Sequence, residues 1–340
     1  FEGRVLEPRL QMAKDDRMML GYQCANSRMT VAVAADHVVS TPDPYEVVMS
    51  DEPDLTKMVF RVDAREGSTL RIEKTVAYHT SRGLPVRELS DRCRRTLDRA
   101  ARVDNEHWLA EQRDWFDAFW ASADVEVDTG DETSDAVQQA IRFNLFTLAQ
   151  ASARADGLGV AAKGVTGSGY EGHYFWDTEV YVAPFLTYTR PELARNLMLF
   201  RSRMLPAARE RAAEMSQRGA LFPWRTINGE EASAYYAAGT AQVHIDADVA
   251  HALVQYVSAT GDEELLVRHG LAILVETARL YADLAFWRSN GERSFHIHGV
   301  TGPDEYTTVV NNNLFTNVMA RYNPEQSVSR VRWAQEHHAH

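Results

Sequence analysis

Apolar residues change their spacing once along this chain, and that change limits what it can fold into. Near the start they fall in short alternating or β-branched runs: Thr30-Val31-Ala32-Val33-Ala34, Met58-Val59-Phe60-Arg61-Val62 and Leu70-Arg71-Ile72-Glu73-Lys74-Thr75-Val76. In the last run Leu70, Ile72 and Lys74 share one face, as a period of two requires. Pro42, Asp43, Pro44, Asp51, Glu52 and Pro53 supply turn chemistry between the runs, so this part reads as antiparallel sheet. After Asp131 the period becomes helical. Val137, Ala140, Ile141, Leu145 and Leu148 make one apolar face; Ile245, Val249, Leu253, Tyr256 and Val257 make another that stops at Gly261; Leu271, Leu274, Val275, Ala278, Tyr281 and Leu284 make a third, ending before Gly291. Between the two regimes, from Asp91, charged residues interleave with Trp108, Trp115, Phe116, Phe119 and Trp120 at helical spacing. That stretch reads as a helical linker with an aromatic, core-forming side.

Loops rich in Gly, Asp and aromatic residues join the later helices. This is the layout of an α/α toroid, whose loops at one end carry the site. A full double ring of helix pairs would need roughly twice the helices that the pattern supplies. The strands are likewise too few for a normal closed sandwich. The expected fold is therefore α+β and multidomain: a partial N-terminal antiparallel β-sandwich over residues 1–85, a helical linker over 86–130, and part of an (α/α)6 catalytic barrel over 131–340. Both ends of the chain read as cut relative to that architecture.

Charge and cysteine usage narrow the partners. With 36 basic against 48 acidic side chains the net charge is −12, which opposes binding to nucleic acid or to anionic membrane surfaces. Two cysteines, Cys24 and Cys93, cannot build a disulfide framework or a four-thiolate metal site, and they fit a reducing compartment. No run approaches the roughly 18 apolar residues of a membrane span, and Phe1-Glu2-Gly3-Arg4 has no signal-peptide core, so the expected location is cytoplasmic.

Two loops hold residues able to do chemistry. The first runs from Gly164 to Glu179. Its glycines around Ser168 lack the Lys-Ser/Thr and the strand-turn-helix setting of a phosphate loop, and Gly167-Ser168-Gly169 lacks the spacing of a nucleophile elbow. Its Tyr174-Phe175-Trp176-Asp177 is more informative. An indole offers a flat face to the CH side of a sugar ring, and the adjacent carboxylate can accept bonds from two hydroxyls; the plainer alternative is a core Trp176 beside an Asp177 that starts a helix. The second loop, Gly299-Val300-Thr301-Gly302-Pro303-Asp304-Glu305-Tyr306, sets two acids in a Gly-Pro turn. Apolar neighbours could keep one protonated enough to act as an acid, with the longer Glu305 as proton donor and Asp304 holding the loop. Two solvated turn acids are the competing reading. His296 and His298 share a strand face but show no third metal ligand, and His244-Ile245-Asp246-Ala247-Asp248 suits helix-end bonding and orientation.

The string Glu171-Gly172-His173-Tyr174-Phe175-Trp176-Asp177-Thr178-Glu179, followed in order by Phe222-Pro223-Trp224, Asn228-Gly229-Glu230-Glu231, Ala241-Gln242-Val243-His244-Ile245-Asp246-Ala247-Asp248 and Gly299-Val300-Thr301-Gly302-Pro303-Asp304-Glu305-Tyr306, resembles glycoside hydrolase family 65. That family holds the trehalose, maltose and kojibiose phosphorylases and the acid trehalases. The resemblance is collinear to Tyr322. It implies that Glu305 is the general acid, that Trp176 and Asp177 grip the non-reducing glucose, and that Trp224, Glu231 and His244 border the pocket. It also implies inverting cleavage of an α-linked glucose disaccharide, trehalose first and maltose or kojibiose next, by phosphorolysis or by hydrolysis. Inorganic phosphate is then the possible co-substrate. No cofactor and no metal are implied, and a homodimer is possible by analogy. The family's phosphate-binding loop and any hydrolytic base fall beyond Tyr322, where Asn323-Pro324-Glu325-Gln326-Ser327 and the following Arg330, Arg332 and His337-His338-Ala339-His340 no longer read as the expected helix. A truncated, catalytically weak carbohydrate-binding fragment is the alternative, and a helical scaffold with incidental loop acids is the third reading.

Overall fold

The computed structural model describes residues 4–14, 16–152, 159–165, 167, 169–233, 236–288, 291 and 293–338; Thr166 and Ser168 of the glycine-rich loop and Ala339-His340 lie outside the described residues. Six strands come first: β1 (Leu6–Lys14), β2 (Arg17–Cys24), β3 (Thr30–Ser40), β4 (Tyr45–Glu52), β5 (Leu55–Val62) and β6 (Arg71–Ser81). Helices follow: α1 (Val86–Ala100), α2 (Asn105–Ala123), α3 (Ser134–Ser152), α4 (Ala183–Thr189), α5 (Pro191–Glu214), α6 (Ala237–Thr240), α7 (Ile245–Thr260), α8 (Glu263–Leu265) and α9 (Leu271–Leu284). A short hairpin, β7 (Phe286–Arg288) and β8 (Ser294–His296), precedes the last helix, α10 (Leu314–His337). The chain divides into two units, Phe1–Phe116 and Asp117–His340.

In the first unit β1, β2, β3 and β6 form one antiparallel sheet in that order, and β4 pairs with β5 as a separate hairpin. β3 and β6 stay in register from Thr30 opposite Ser81 to Ser40 opposite Arg71. Alternation gives β3 a small-residue face, Ala32 and Ala34, which with Met19 and Ala77 meets Leu89, Cys93 and Leu97 of α1. Those three recur every fourth residue, one stripe of a helix. Small residues let the helix approach closely: a Cβ on Gly21 would stand 2.3 Å from Cγ1 of Val86. The face that carries Leu70 and Ile72 is the open one, at 44% and 46% exposure. The apolar alternation in that run therefore does not mark the buried side, because α1 covers the alanine-lined face instead. Along α2 the aromatic stripe is uneven, with Phe119 buried and Trp108 exposed.

The second unit is built around α7, which touches α4, α5, α9 and α10. Its buried residues run continuously from Ile245 to Ala250 and resume at Ala252. Alanines at 247, 250 and 252 supply the close approach. The helix stops at Gly261, whose φ of 71° is the left-handed conformation that glycine adopts without cost. The next residue, Asp262, caps α8 by accepting from the Leu265 N–H at 2.9 Å. The buried face of α9 is Ile273, Leu274, Thr277, Leu280 and Tyr281, rotated by about one position from the face read in the sequence. Glu276, Arg279 and Asp283 mark a charged side of α9, but the apolar arc opposite is wide, so periodicity alone does not fix which stripe of it points inward. On α3 the expected face is only partly covered: Val137, Ile141, Leu145 and Leu148 are half-buried and Ala140 is exposed. Among the described residues no helix is long and apolar enough to cross a membrane.

The loss of helical pattern expected after Tyr322 does not occur. α10 runs through Pro324 to His337. Proline removes the N–H that would reach the Ala320 carbonyl, and its ring crowds that turn. Side-chain bonds to α9 on either side hold the helix together: Asn323 Nδ2 donates to Thr277 Oγ1 at 2.7 Å, and Ser327 Oγ donates to the Leu274 carbonyl at 2.7 Å. Pro324→Ala restores the missing donor without touching those anchors. It should stabilise the protein by about 1–3 kcal/mol in urea unfolding; an unchanged or lower midpoint would contradict this account of α10.

Candidate active site

The loop carrying Trp176 and Asp177 is held from behind by a buried ion pair. Glu179 accepts from Nε of Arg201 at 2.6 Å and from Nη2 at 2.8 Å, and both side chains are 2% exposed. Nη2 also reaches the Phe175 carbonyl at 3.5 Å. Arg201 projects from α5 and Glu179 lies in a π-helical turn, Thr178–Val182. One guanidinium thus fixes the backbone on both sides of Trp176-Asp177. A bridge between Tyr174 and Thr226 ties the same loop to the Phe222–Thr226 segment, and Glu171 pairs with Arg225. Trp176 is half-buried and Asp177 exposed at the start of the π-helical turn, where its side chain makes no capping bond. The plain helix-start role for Asp177 is therefore not what its carboxylate does.

Trp224 stands edge-on to Phe175, with ring centroids 5.3 Å apart, and tilted against Tyr236 at 5.9 Å. It lies on the backbone of α6: a Cβ at Gly239 would fall 2.4 Å from two indole carbons. Glu231, expected to border the pocket, is spent on internal bonds. Its carboxylate accepts from the backbone N–H of Trp224 at 2.8 Å, the N–H of Arg225 at 3.1 Å and the Ser233 hydroxyl at 2.8 Å, and it pairs with Arg211 at 3.1 Å. It shapes the Trp224 loop. It also lines a 540 Å³ cavity, together with Glu210, Arg211, Leu280 and Val300 among others.

His244, also expected as a wall residue, is fully buried. Its Nδ1 bonds Oδ2 of Asp248 at 2.6 Å, and an ionised carboxylate can only accept, so Nδ1 carries the hydrogen. The imidazole stands edge-on to Trp176 at 5.0 Å and to Phe315 at 5.2 Å. It therefore supports the Trp176 indole with its edge. Asp246, two residues on, accepts from the Phe222 N–H at 2.8 Å. The Tyr281 hydroxyl donates to the Val243 carbonyl at 2.6 Å and accepts from the Ala247 N–H at 3.2 Å. Burial pushes the Asp246 carboxyl well above the usual carboxylate range, and it raises Asp248 despite the His244 bond.

Glu305 sits on a loop closed by the Val300–Val310 bridge. The loop base is stitched to the α6–α7 connection: the Thr301 N–H donates to the Ala241 carbonyl at 3.0 Å and its hydroxyl to the Ala237 carbonyl at 2.7 Å. Asp304 holds the turn with its backbone carbonyl, which accepts from the Thr307 N–H at 3.3 Å. Glu305 itself is exposed, and its apolar neighbours do not enclose it: Tyr306 is 94% and Val309 56% exposed. Oε1 of Glu305 accepts from Gln242 Nε2 at 3.4 Å. The segment Gln242-Val243-His244 thus touches Glu305 at one end and Trp176 at the other. Both nitrogens of His296 are engaged, with Ser294 and Asn312. Of these residues, Arg201, Glu179 and Gln242 received no role from the sequence. The available signal was a set of polar side chains inside otherwise apolar helical stretches, which burial makes expensive unless paired.

Residues 142–339 match the glycosyl hydrolase family 65 central catalytic domain, and residues 1–119 match the family's N-terminal domain. The α,α-trehalose phosphorylase of Thermoanaerobacter brockii is 41% identical over 325 residues, 96% of this chain and 42% of that protein. The α,α-trehalose phosphorylase of Geobacillus stearothermophilus is 52% identical over 225 residues, 66% and 28% of the two chains. The kojibiose phosphorylase of Escherichia coli is 36% identical over 286 residues, 78% and 37%. A solved structure from the human microbiome, provisionally assigned as a kojibiose phosphorylase, superposes with a TM-score of 0.82 at 25% identity, covering 96% of this chain and 43% of that one. The chain thus spans less than half the length of these relatives.

The protonation of Asp246 is open to measurement. A carboxyl whose folded-state acidity is weakened binds its proton where the unfolded chain, near 3.9, has lost it, so its contribution to stability falls as pH rises above about 4. Asp246→Asn keeps an oxygen for the Phe222 N–H and cannot ionise. The stability of this variant relative to the parent should increase from pH 4 toward pH 7 in denaturant titrations. Parallel pH profiles would show that Asp246 is not held neutral.

Proposed function

The chain belongs to glycosyl hydrolase family 65, and from that premise we propose that it carries the sugar-gripping and proton-donating half of a disaccharide phosphorylase site, with trehalose as the preferred substrate. The observation that carries this reading is the three-residue segment Gln242–His244, which sets the Glu305 carboxyl and the Trp176 ring on one rigid piece of backbone. Trp176 stacks on the apolar side of the non-reducing glucose, and Asp177, exposed beside it, accepts from two of its hydroxyls. Glu305 hands its proton to the bridging oxygen as the bond from that oxygen to the anomeric carbon breaks. A phosphate oxygen forms the new bond to that carbon from the opposite face. The products are β-glucose 1-phosphate and a free sugar, and Glu305 is left as carboxylate until it regains a proton.

Phosphate arrives already charged and needs no base to activate it, whereas attack by water would need a second carboxylate. The trehalose preference is supported by the two trehalose phosphorylases at 41% and 52% identity, against 36% for the kojibiose enzyme of E. coli. The exposure of Glu305 favours a second reading, a chain that binds sugar and turns it over slowly, because an open site does not exclude water.

Glucose release from trehalose should depend on added phosphate and be matched by glucose 1-phosphate. Glu305→Gln should lower the rate by at least about a hundredfold and leave calorimetric sugar binding intact, while Trp176→Ala should abolish the binding heat. Phosphate-independent release would point to hydrolysis, and a silent parent protein that still binds glucose would point to the binding reading.

A further inference from the structure

The proton donor itself makes one polar contact to a buried side chain, and that side chain has a fixed direction. Gln242 is 3% exposed. Its Nε2 donates to the Ala238 carbonyl at 2.8 Å and approaches Oε1 of Glu305 at 3.4 Å, while its own amide oxygen is buried without a partner. Turning the amide over would press its oxygen against the Ala238 carbonyl with no hydrogen between them, so the nitrogen must stay where it is. Gln242 can therefore only donate to Glu305.

We infer that Gln242 is a positioning residue for the proton-donating carboxyl: it occupies Oε1 of Glu305 with an N–H and thereby assigns the transferable proton to Oε2. The inference deepens the proposed phosphorylase reading and rests on it. An oxygen that faces a donor must be an acceptor, so the neutral acid keeps its hydrogen on the other oxygen, which is the one free to meet the bridging atom of the substrate. Once the proton has gone, the same N–H faces a carboxylate and stabilises it, which eases departure of the proton. The separation of the two side chains is set by backbone. Thr301 bonds the Ala241 and Ala237 carbonyls, and Tyr281 pins the Val243 carbonyl, so the Glu305 loop and the Gln242 segment move as one piece. A 3.4 Å contact is long for an N–H···O bond, and catalytic contacts of this kind shorten when substrate is bound.

The test compares two leaving groups. α-Glucosyl fluoride expels fluoride with little need of a proton, whereas a disaccharide needs one. Gln242→Leu and the isosteric Gln242→Glu should lower kcat on trehalose relative to kcat on α-glucosyl fluoride by about tenfold or more, with KM for trehalose little changed. Equal losses on both substrates would mean a merely structural role and would overturn the inference, as would no loss at all. A second measurement does not need turnover. With glutamine side chains labelled with 15N, the Gln242 amide signal should move on Glu305→Ala and stay put on Asp304→Ala; a signal unmoved by Glu305→Ala would overturn the inference. A parent protein that releases neither glucose nor fluoride would defeat the phosphorylase reading alone, and the amide signal would still decide the role of Gln242.

Discussion

A guanidinium cannot sit inside a helical core without a partner, and Arg201 is almost wholly buried. Glu179 supplies both oxygens, Phe175 a carbonyl, and the Phe222 ring lies 5.7 Å beneath the cation. Removing Glu179 would leave a charge in a medium that cannot solvate it. The backbone on either side of Trp176 is consequently held, although Asp177 beside it is open to solvent. Phe222 extends the same restraint, since its N–H is bound by Asp246 at the start of α7. One ion pair thus couples α5, two loops and the central helix.

The polar side chains of this region divide into those that face out and those that hold. Glu231, Asp246, Asp248 and Tyr281 direct their hydrogen bonds inward, to the Trp224 N–H, the Phe222 N–H, the His244 ring and the Val243 carbonyl. What they hold is the geometry of a small exposed set: Asp177, Glu305 and the uncovered part of Trp176. Burial sets the division. A carboxyl inside a helix bundle tends to remain neutral or paired, and it is better suited to orientation than to meeting a charged substrate.

The sequence made the larger architecture readable because periodicity survives packing. The switch from alternating runs to helical spacing, the stop of α7 at Gly261 and the order of the loops all follow from local chemistry. Which face is covered did not follow. The alanine face of β3, and not the side bearing Leu70 and Ile72, receives α1, since close packing rewards small residues where a helix must come near. Pro324 read as an end and is an interior residue, because Asn323 and Ser327 bond α9 across a distance no local rule registers. At the site, Trp176, Asp177 and Glu305 were nameable from motif and resemblance. The supporting Arg201 and Gln242 were not, since each acts through a residue far away in the chain.

Gly239 sets the seat of Trp224 by what it lacks. The indole rests where a methyl group would otherwise be, so the position of the ring is recorded in a missing atom. Any other amino acid at this point would have to displace the ring. One codon change in α6 would therefore displace the Trp224 ring while the residues around Trp176 and Glu305 stayed the same.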